Sequence, residues 1–167
     1  MKKPVIEITV TGYGTMKAEL YPEFAPETVK NFLGLIDRNF FDGLIFHRVI
    51  KGFMIQGGGY DKYFEEQPTA QIKGEFAANG YPQNTLKHVR GTLSMARTSD
   101  PNSASSQFFI MHEDAPYLDA QYAAFGKLID GFDVLDDIAG VRTGRLGYFD
   151  DVPREAVVIE SINVVED

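Results

Sequence analysis

The N-terminal stretch alternates. Ile6, Ile8 and Val10 fall on one side of an extended chain, while Val5, Glu7 and Thr9 fall on the other. Gly12-Tyr13-Gly14 reads as a turn, and an extended pattern resumes from Met16 to Leu20, which predicts a β-hairpin. The period then changes. Pro26 and Glu27 suit the first turn of a helix, and Val29, Phe32, Leu33 and Ile36 recur at helical spacing. These positions predict an amphipathic helix ending near Asn39. A second, short helix is predicted from Asp130, with Asp133 three residues on and Phe132, Leu135 and Ile138 sharing a face.

Most other apolar runs are short and extended: 45–50, 53–56, 93–96, 107–111, 125–129 and 157–165. Turn residues separate them, which predicts a closed sheet or a sandwich, with the helices covering the open ends if it is a barrel. Periodicity alone does not choose between the two. The stretches 57–84 and 140–153 have weak periodicity and read as long ordered loops. No repeat or linker divides the chain, so a single domain over 1–167 is expected.

Composition narrows the functional classes. The 167 residues are 44% hydrophobic, enough to bury a sizeable core, and include 13 Phe and 8 Tyr but no Trp. So many Phe residues suggest strands or an aromatic-lined groove. Net charge is −8 and no basic stripe is visible, so no nucleic-acid partner is expected. The chain has no cysteine, which excludes disulfides, thiolate catalysis and Cys-rich zinc sites. Met1-Lys2-Lys3-Pro4-Val5 leads to Glu7, Thr9 and Thr11 rather than to the apolar core of a signal peptide. No apolar run approaches the roughly 18 residues of a membrane span. A cytoplasmic, monomeric protein that does not bind membranes is expected.

Familiar reactive motifs are missing. Gly57-Gly58-Gly59 lacks the lysine of a phosphate cradle, and His112-Glu113 lacks a second histidine at metal-binding spacing. No nucleophile elbow surrounds Ser94, Ser103, Ser105 or Ser106, which read as turn and loop residues. His47, His88 and His112 are far apart in sequence and read as surface or satisfied side chains rather than ligands. No metal or cofactor is expected. Any reaction must therefore proceed without them.

Two segments are informative at the level of whole motifs. The first is Phe46-His47-Arg48-Val49-Ile50-Lys51-Gly52-Phe53-Met54-Ile55-Gln56-Gly57-Gly58. The second is Gly91-Thr92-Leu93-Ser94-Met95-Ala96-Arg97, followed after a Pro/Asn/Ser loop by Ser106-Gln107-Phe108-Phe109-Ile110. Together they resemble the signatures of the cyclophilin family of peptidyl-prolyl cis-trans isomerases. Ala25 to Phe32, Tyr117-Leu118-Asp119 and Phe125-Gly126-Lys127 extend the resemblance over nearly the whole chain. Met95-Ala96-Arg97-Thr98 and Glu75-Phe76-Ala77-Ala78-Asn79 are similar to bacterial members.

The resemblance implies a mainly β fold: a closed eight-stranded antiparallel β-barrel capped by two helices. It implies acceleration of rotation about X-Pro bonds in proline-containing peptides and in unfolded or partly folded proteins, assisting folding. Matching positions make Arg48 the catalytic residue, with Gln56 orienting it. Phe53, Met54, Phe109 and Leu118 become the proline pocket, and Ala96, Arg97 and Gln107 the subsite for preceding residues. Cyclosporin-type cyclic peptides are implied as ligands, weakened by Tyr117, which stands where many members carry Trp and has no indole N–H. Tyr122 stands at the pocket edge where many members have His, and Arg97 replaces the usual Asn.

The local pattern agrees with a groove. Strand alternation puts Met54 with Gln56 on one face, and Gln107 with Phe109 on another, while Arg48 and His47 point opposite ways. A polar Gln beside Met or Phe on one strand face is odd for a core and reasonable for a groove. The competing reading is a module that binds proline-containing segments without turnover.

Overall fold

The computed structural model describes residues 3–166, so Met1, Lys2 and Asp167 of the expected single-domain span lie outside the described residues. Ten strands and two α-helices are present among them. The opening hairpin consists of β1 (Val5–Val10) and β2 (Gly14–Leu20), paired antiparallel with Ile8 opposite Met16. Ile6, Ile8 and Val10 face the core, as the alternation requires. Strands β3 (Arg48–Ile50), β4 (Met54–Gly57), β5 (Thr92–Met95), β6 (Phe108–Met111), β7 (Ala124–Asp130) and β10 (Ile159–Glu166) complete an eight-stranded sheet in the order β10-β1-β2-β7-β5-β6-β4-β3.

The sheet curls, but its edges do not zip together. Strands β3 and β10 share no ladder. Across the seam run the isolated bridge Ile45↔Val158 and backbone bonds from Phe46 N–H to Val157 O and from Ile159 N–H to Leu44 O. The expected closed barrel is therefore corrected to a curled sheet with an irregular seam. The expected strand over 45–50 shortens to β3 for the same reason: its first residues serve the seam instead of the ladder.

Helix α1 (Pro26–Asp37) drives Phe32 into the barrel interior, where its ring lies 5.0 Å from Phe41, 5.3 Å from Phe108 and 5.0 Å from Phe125. Most of the buried phenylalanines pack this interior rather than a groove. Ala25, at the N-cap of α1, has no side-chain acceptor. Glu75 supplies one from the distant 57–84 loop, accepting from Thr28 N–H at 2.7 Å, Thr28 Oγ1–H at 2.6 Å and Glu27 N–H at 3.2 Å. That bond set satisfies orphan donors of the helix and ties down the loop.

Helix α2 (Phe132–Ala139) buries Val134, Leu135 and Ile138 in the same core. It begins later than Asp130, because Gly131 adopts φ +86° and breaks the helical path; Asp130 bonds Gly131 N–H outside the helix. The 140–153 stretch, expected to be a loop, contains the hairpin β8 (Thr143–Leu146) with β9 (Phe149–Pro153). Its strands are short and a register shift falls between Gly144 and Leu146, so no clean alternation marked it in the sequence. No helix among the described residues is long and apolar enough to cross a membrane.

Candidate active site

The order of strands builds the site. In register, Arg48 of β3 lies opposite Gln56 of β4, Gln56 opposite Phe109 of β6, and Phe109 opposite Ser94 of β5. Side chains directly across neighbouring strands share a face, so these four residues form one row on the outside of the barrel. The alternate residues Ile55, Phe108 and Ile110 turn inward to the main core. Met54, Phe109, Met111, Ala115 and Leu118 form a second, smaller cluster on the outer face, with Ile50, Phe53, Ala96 and Tyr122 packed around it. This separate apolar island beneath an exposed arginine is the feature that distinguishes a groove from core.

The groove holds about 440 Å³, counting space open to solvent. Phe53, Met54, Phe109 and Leu118 form its apolar walls and Arg48 with Gln56 one polar edge. Ala96, Arg97 and Tyr122 close the other side. Gln107 lies next door, in a polar cavity that shares Gln56, Ala96 and Arg97 with the groove. Tyr117 does not line the groove; it is 69% exposed and stacks on Phe53 at 6.2 Å between ring centroids.

A hydrogen-bond relay sets the polar edge. Arg48 Nη1 donates to Gln56 Oε1 at 3.3 Å, and Gln56 Nε2 donates to Gln107 Oε1 at 3.0 Å. The direction is forced, since a guanidinium can only donate, so Gln56 must turn its oxygen to Arg48 and its amino group to Gln107. Arg97, which lines both the groove and the adjoining cavity, is held in place by backbone carbonyls and aromatic rings. Its Nε and Nη2 donate to Gln121 O at 3.2 and 2.8 Å, and Nη1 donates to Thr98 O at 2.9 Å. The guanidinium lies over the rings of Tyr122 (4.6 Å) and Phe76 (5.0 Å), which fixes it beside the groove wall.

Behind Phe109 lies a network that sequence reasoning missed. His88 Nε2 is 2.9 Å from Ser94 Oγ, and His88 Nδ1 is 3.1 Å from Asp119 Oδ1. The imidazole stacks on Phe109 with 6.0 Å between centroids. Ser94 is wholly buried on β5, correcting its reading as a turn residue, and no substrate atom can reach it. The trio therefore braces the groove floor and does not supply a nucleophile. Burial lowers the His88 pKa, with Asp119 opposing, and so favours the neutral ring that can stack on Phe109. No spacing rule links residues 88, 94 and 119, so only their side-by-side placement shows the network.

His47 points away from Arg48 into a cage of Tyr60, Phe64 and Phe149, and its Nδ1 has no hydrogen-bond partner among the described residues. Burial, and secondarily the Arg48 charge, push its pKa down to about 4. It does not face the groove. No cluster of three or more metal-ligating side chains occurs among the described residues.

Comparison with known proteins agrees with this architecture. Residues 5–164 match the family described as cyclophilin type peptidyl-prolyl cis-trans isomerase/CLD. Peptidyl-prolyl cis-trans isomerase B of Escherichia coli (strain K12) is 46% identical over 165 residues, covering 93% of this chain and 97% of that protein. A peptidyl-prolyl cis-trans isomerase of Acinetobacter baylyi is 48% identical over 160 residues, covering 92% of this chain and 82% of its own length. A crystal structure of a cyclophilin type peptidyl-prolyl cis-trans isomerase from Cryptosporidium parvum superposes with a TM-score of 0.82 at 33% identity, covering 99% of both chains. A second structure of that protein, in the presence of the dipeptide Ala-Pro, gives a TM-score of 0.80 at 34% identity, covering 98% of this chain and 99% of that one. By sequence and by fold, the chain belongs to the cyclophilin-type peptidyl-prolyl cis-trans isomerases.

Proposed function

We propose that this isomerase turns the X-Pro bond by donating a hydrogen bond from Arg48 to the prolyl nitrogen as the amide twists. A planar amide resists rotation by about 18–20 kcal/mol because its nitrogen lone pair is delocalised. In the twisted state that lone pair localises and becomes a good acceptor. A fixed guanidinium then gains a bond that the planar ground state cannot offer, which is selective stabilisation of the transition state. Arginine suits the task because its charge persists and its donors lie in a rigid plane. Gln56, held by Gln107, orients it.

The proline ring is assigned to the pocket of Phe53, Met54, Phe109 and Leu118, with residues preceding proline along Ala96, Arg97 and Gln107. An apolar seat removes solvent hydrogen bonds from the planar amide. A thousandfold acceleration requires only about 4 kcal/mol. Tyr117 and Tyr122 flank the seat, and the exposed Tyr117 offers ring area but no indole donor to a cyclosporin-type peptide. Unfolded or partly folded chains in the cytoplasm are the proposed clients of a monomeric single domain over 1–167.

The observation that carries the proposal is the relay from Gln107 through Gln56 to Arg48 at the rim of an apolar pocket. Support for the ligand class comes from the Cryptosporidium parvum relative studied with Ala-Pro. The test is exchange NMR on an Ala-Pro peptide with wild type and Arg48→Ala in parallel. Acceleration by wild type, lost in the variant with binding largely kept, is the expected result. Binding without acceleration by wild type makes the protein a proline-recognition module instead.

A further inference from the structure

The turn between β3 and β4 carries Phe53, one wall of the groove, and is itself held from outside the site. Phe53 N–H closes the turn onto Ile50 O at 3.0 Å. In a four-residue turn of this kind the N–H of the third residue has no acceptor within the turn. That residue is Gly52, at φ +82°, and its N–H donates to His112 Nδ1 at 2.8 Å. The backbone is tied to the same place, since Phe53 O accepts from His112 N–H at 2.8 Å.

His112 is in turn anchored. Because Nδ1 accepts from a backbone N–H it is unprotonated, so the ring proton sits on Nε2 and is donated to Asp136 Oδ1 at 3.0 Å. Asp136, on α2, is gripped by both Nη atoms of Arg90 at 2.8 and 2.9 Å. Arg90 Nη1 also donates to His112 O at 3.1 Å. The imidazole has only 13% of its side-chain surface exposed and is bonded at both ring nitrogens, which holds its orientation. An unbroken chain of bonds thus runs from Arg90 on the 84–91 loop through α2 to the residue preceding Phe53. No atom of it lines the groove.

We propose that His112, anchored by Asp136 and Arg90, is a positioning residue that sets Phe53 against the proline ring. This role rests on the isomerase reading given above. The ring stays seated while the bond beside it rotates, so its pocket wall grips the ground state and the transition state alike. Loss of such uniform binding raises KM and leaves kcat unchanged. A loss of folded protein does the reverse, lowering the apparent kcat at constant KM. The two causes therefore separate.

The experiment measures kcat and KM on an Ala-Pro peptide, peptide Kd by titration, and Gly52 amide exchange by NMR. It uses wild type, His112→Ala, His112→Asn and Asp136→Ala. For His112→Ala, KM and Kd should rise about fivefold, the size of one net hydrogen bond, with kcat within about twofold and faster Gly52 exchange. Asparagine can place Oδ1 where Nδ1 stood, so His112→Asn should stay within about twofold of wild type in KM. Asp136→Ala, a change on the exposed face of α2, should fall between the two and covers the case in which His112→Ala does not fold. Unchanged KM and Kd in both alanine variants overturns the proposal, as does a fall in kcat at constant KM. A wild type that binds but does not turn over sinks the isomerase reading, and Kd and Gly52 exchange then still decide the role of His112.

Discussion

Arg48 and Gln56 are cross-strand partners whose side chains meet at 3.3 Å beside the outer apolar cluster of Met54, Phe109, Met111, Ala115 and Leu118. Loss of the guanidinium in Arg48→Ala should lower kcat about a hundredfold, the scale seen when one preorganised donor to a transition state is removed. Gln56→Ala leaves the charge but frees its direction, and a smaller fall of about tenfold is expected. Arg48→Lys keeps the charge without the planar fork and should not restore full activity. Peptide turnover and melting temperature measured side by side check all three. Wild-type turnover in Arg48→Ala removes Arg48 from the mechanism.

The relay has a steric foundation at Gly59. A Cβ added there would press on the Gln107 side chain, which is the flexible end of the contact. The fold can yield by moving Gln107, so Gly59→Ala should keep nearly full stability. Gln107 would then leave Gln56, and Arg48 would lose its orientation. A several-fold fall in kcat at an unchanged unfolding midpoint is expected. Wild-type kcat would mean that Gln107 contributes nothing to positioning.

Stability should depend on pH through His47. Its pKa is about 4 in the folded protein, because burial disfavours the charged ring, against the ordinary value of 6.5. Between these values the unfolded chain binds a proton that the folded one does not, so stability falls as pH drops across the window and levels off below it. The full effect is about 3 kcal/mol. His88, lowered by burial, acts in the same direction. Urea midpoints from about pH 7 to about pH 4.5 should slope down in wild type and less steeply in His47→Phe. Parallel slopes would show that His47 does not carry the effect.

Glu75 tests how α1 is held. It accepts three bonds from the first turn, and Thr28 is wholly buried. Glu75→Ala leaves that hydroxyl and N–H without partners and should cost about 2–3 kcal/mol. Thermal or urea unfolding reads this directly. A loss below about 0.5 kcal/mol would mean that water replaces the carboxylate at no cost.

What local pattern encodes was legible. Alternation put Ile6, Ile8 and Val10 together on one side, the side the structure buries, and separated Phe109 from Phe108, because side-chain direction in a strand has a period of two whatever the rest of the chain does. Helical spacing located α1 to within two residues of its end. The two long motifs carried Arg48, Phe53, Met54, Gln56, Ala96, Arg97, Gln107 and Phe109, and the wider resemblance brought in Tyr117, Leu118 and Tyr122; that Tyr117 stacks outside the groove and Gln107 sits in the adjoining cavity was decided by packing.

By itself the sequence determined which residues face outward along each strand and which family's motifs they compose. The tertiary structure alone decided who partners whom across long separations: Glu75 with Thr28, His88 with Ser94 and Asp119, Arg97 with Tyr122 and Phe76, His112 with Gly52. The seam between β3 and β10 and the hairpin of β8 and β9 belong to the same class. Facing is a property of one segment's backbone geometry and is written locally. Partnership depends on where the folded sheet brings distant segments together, and no local period carries that information.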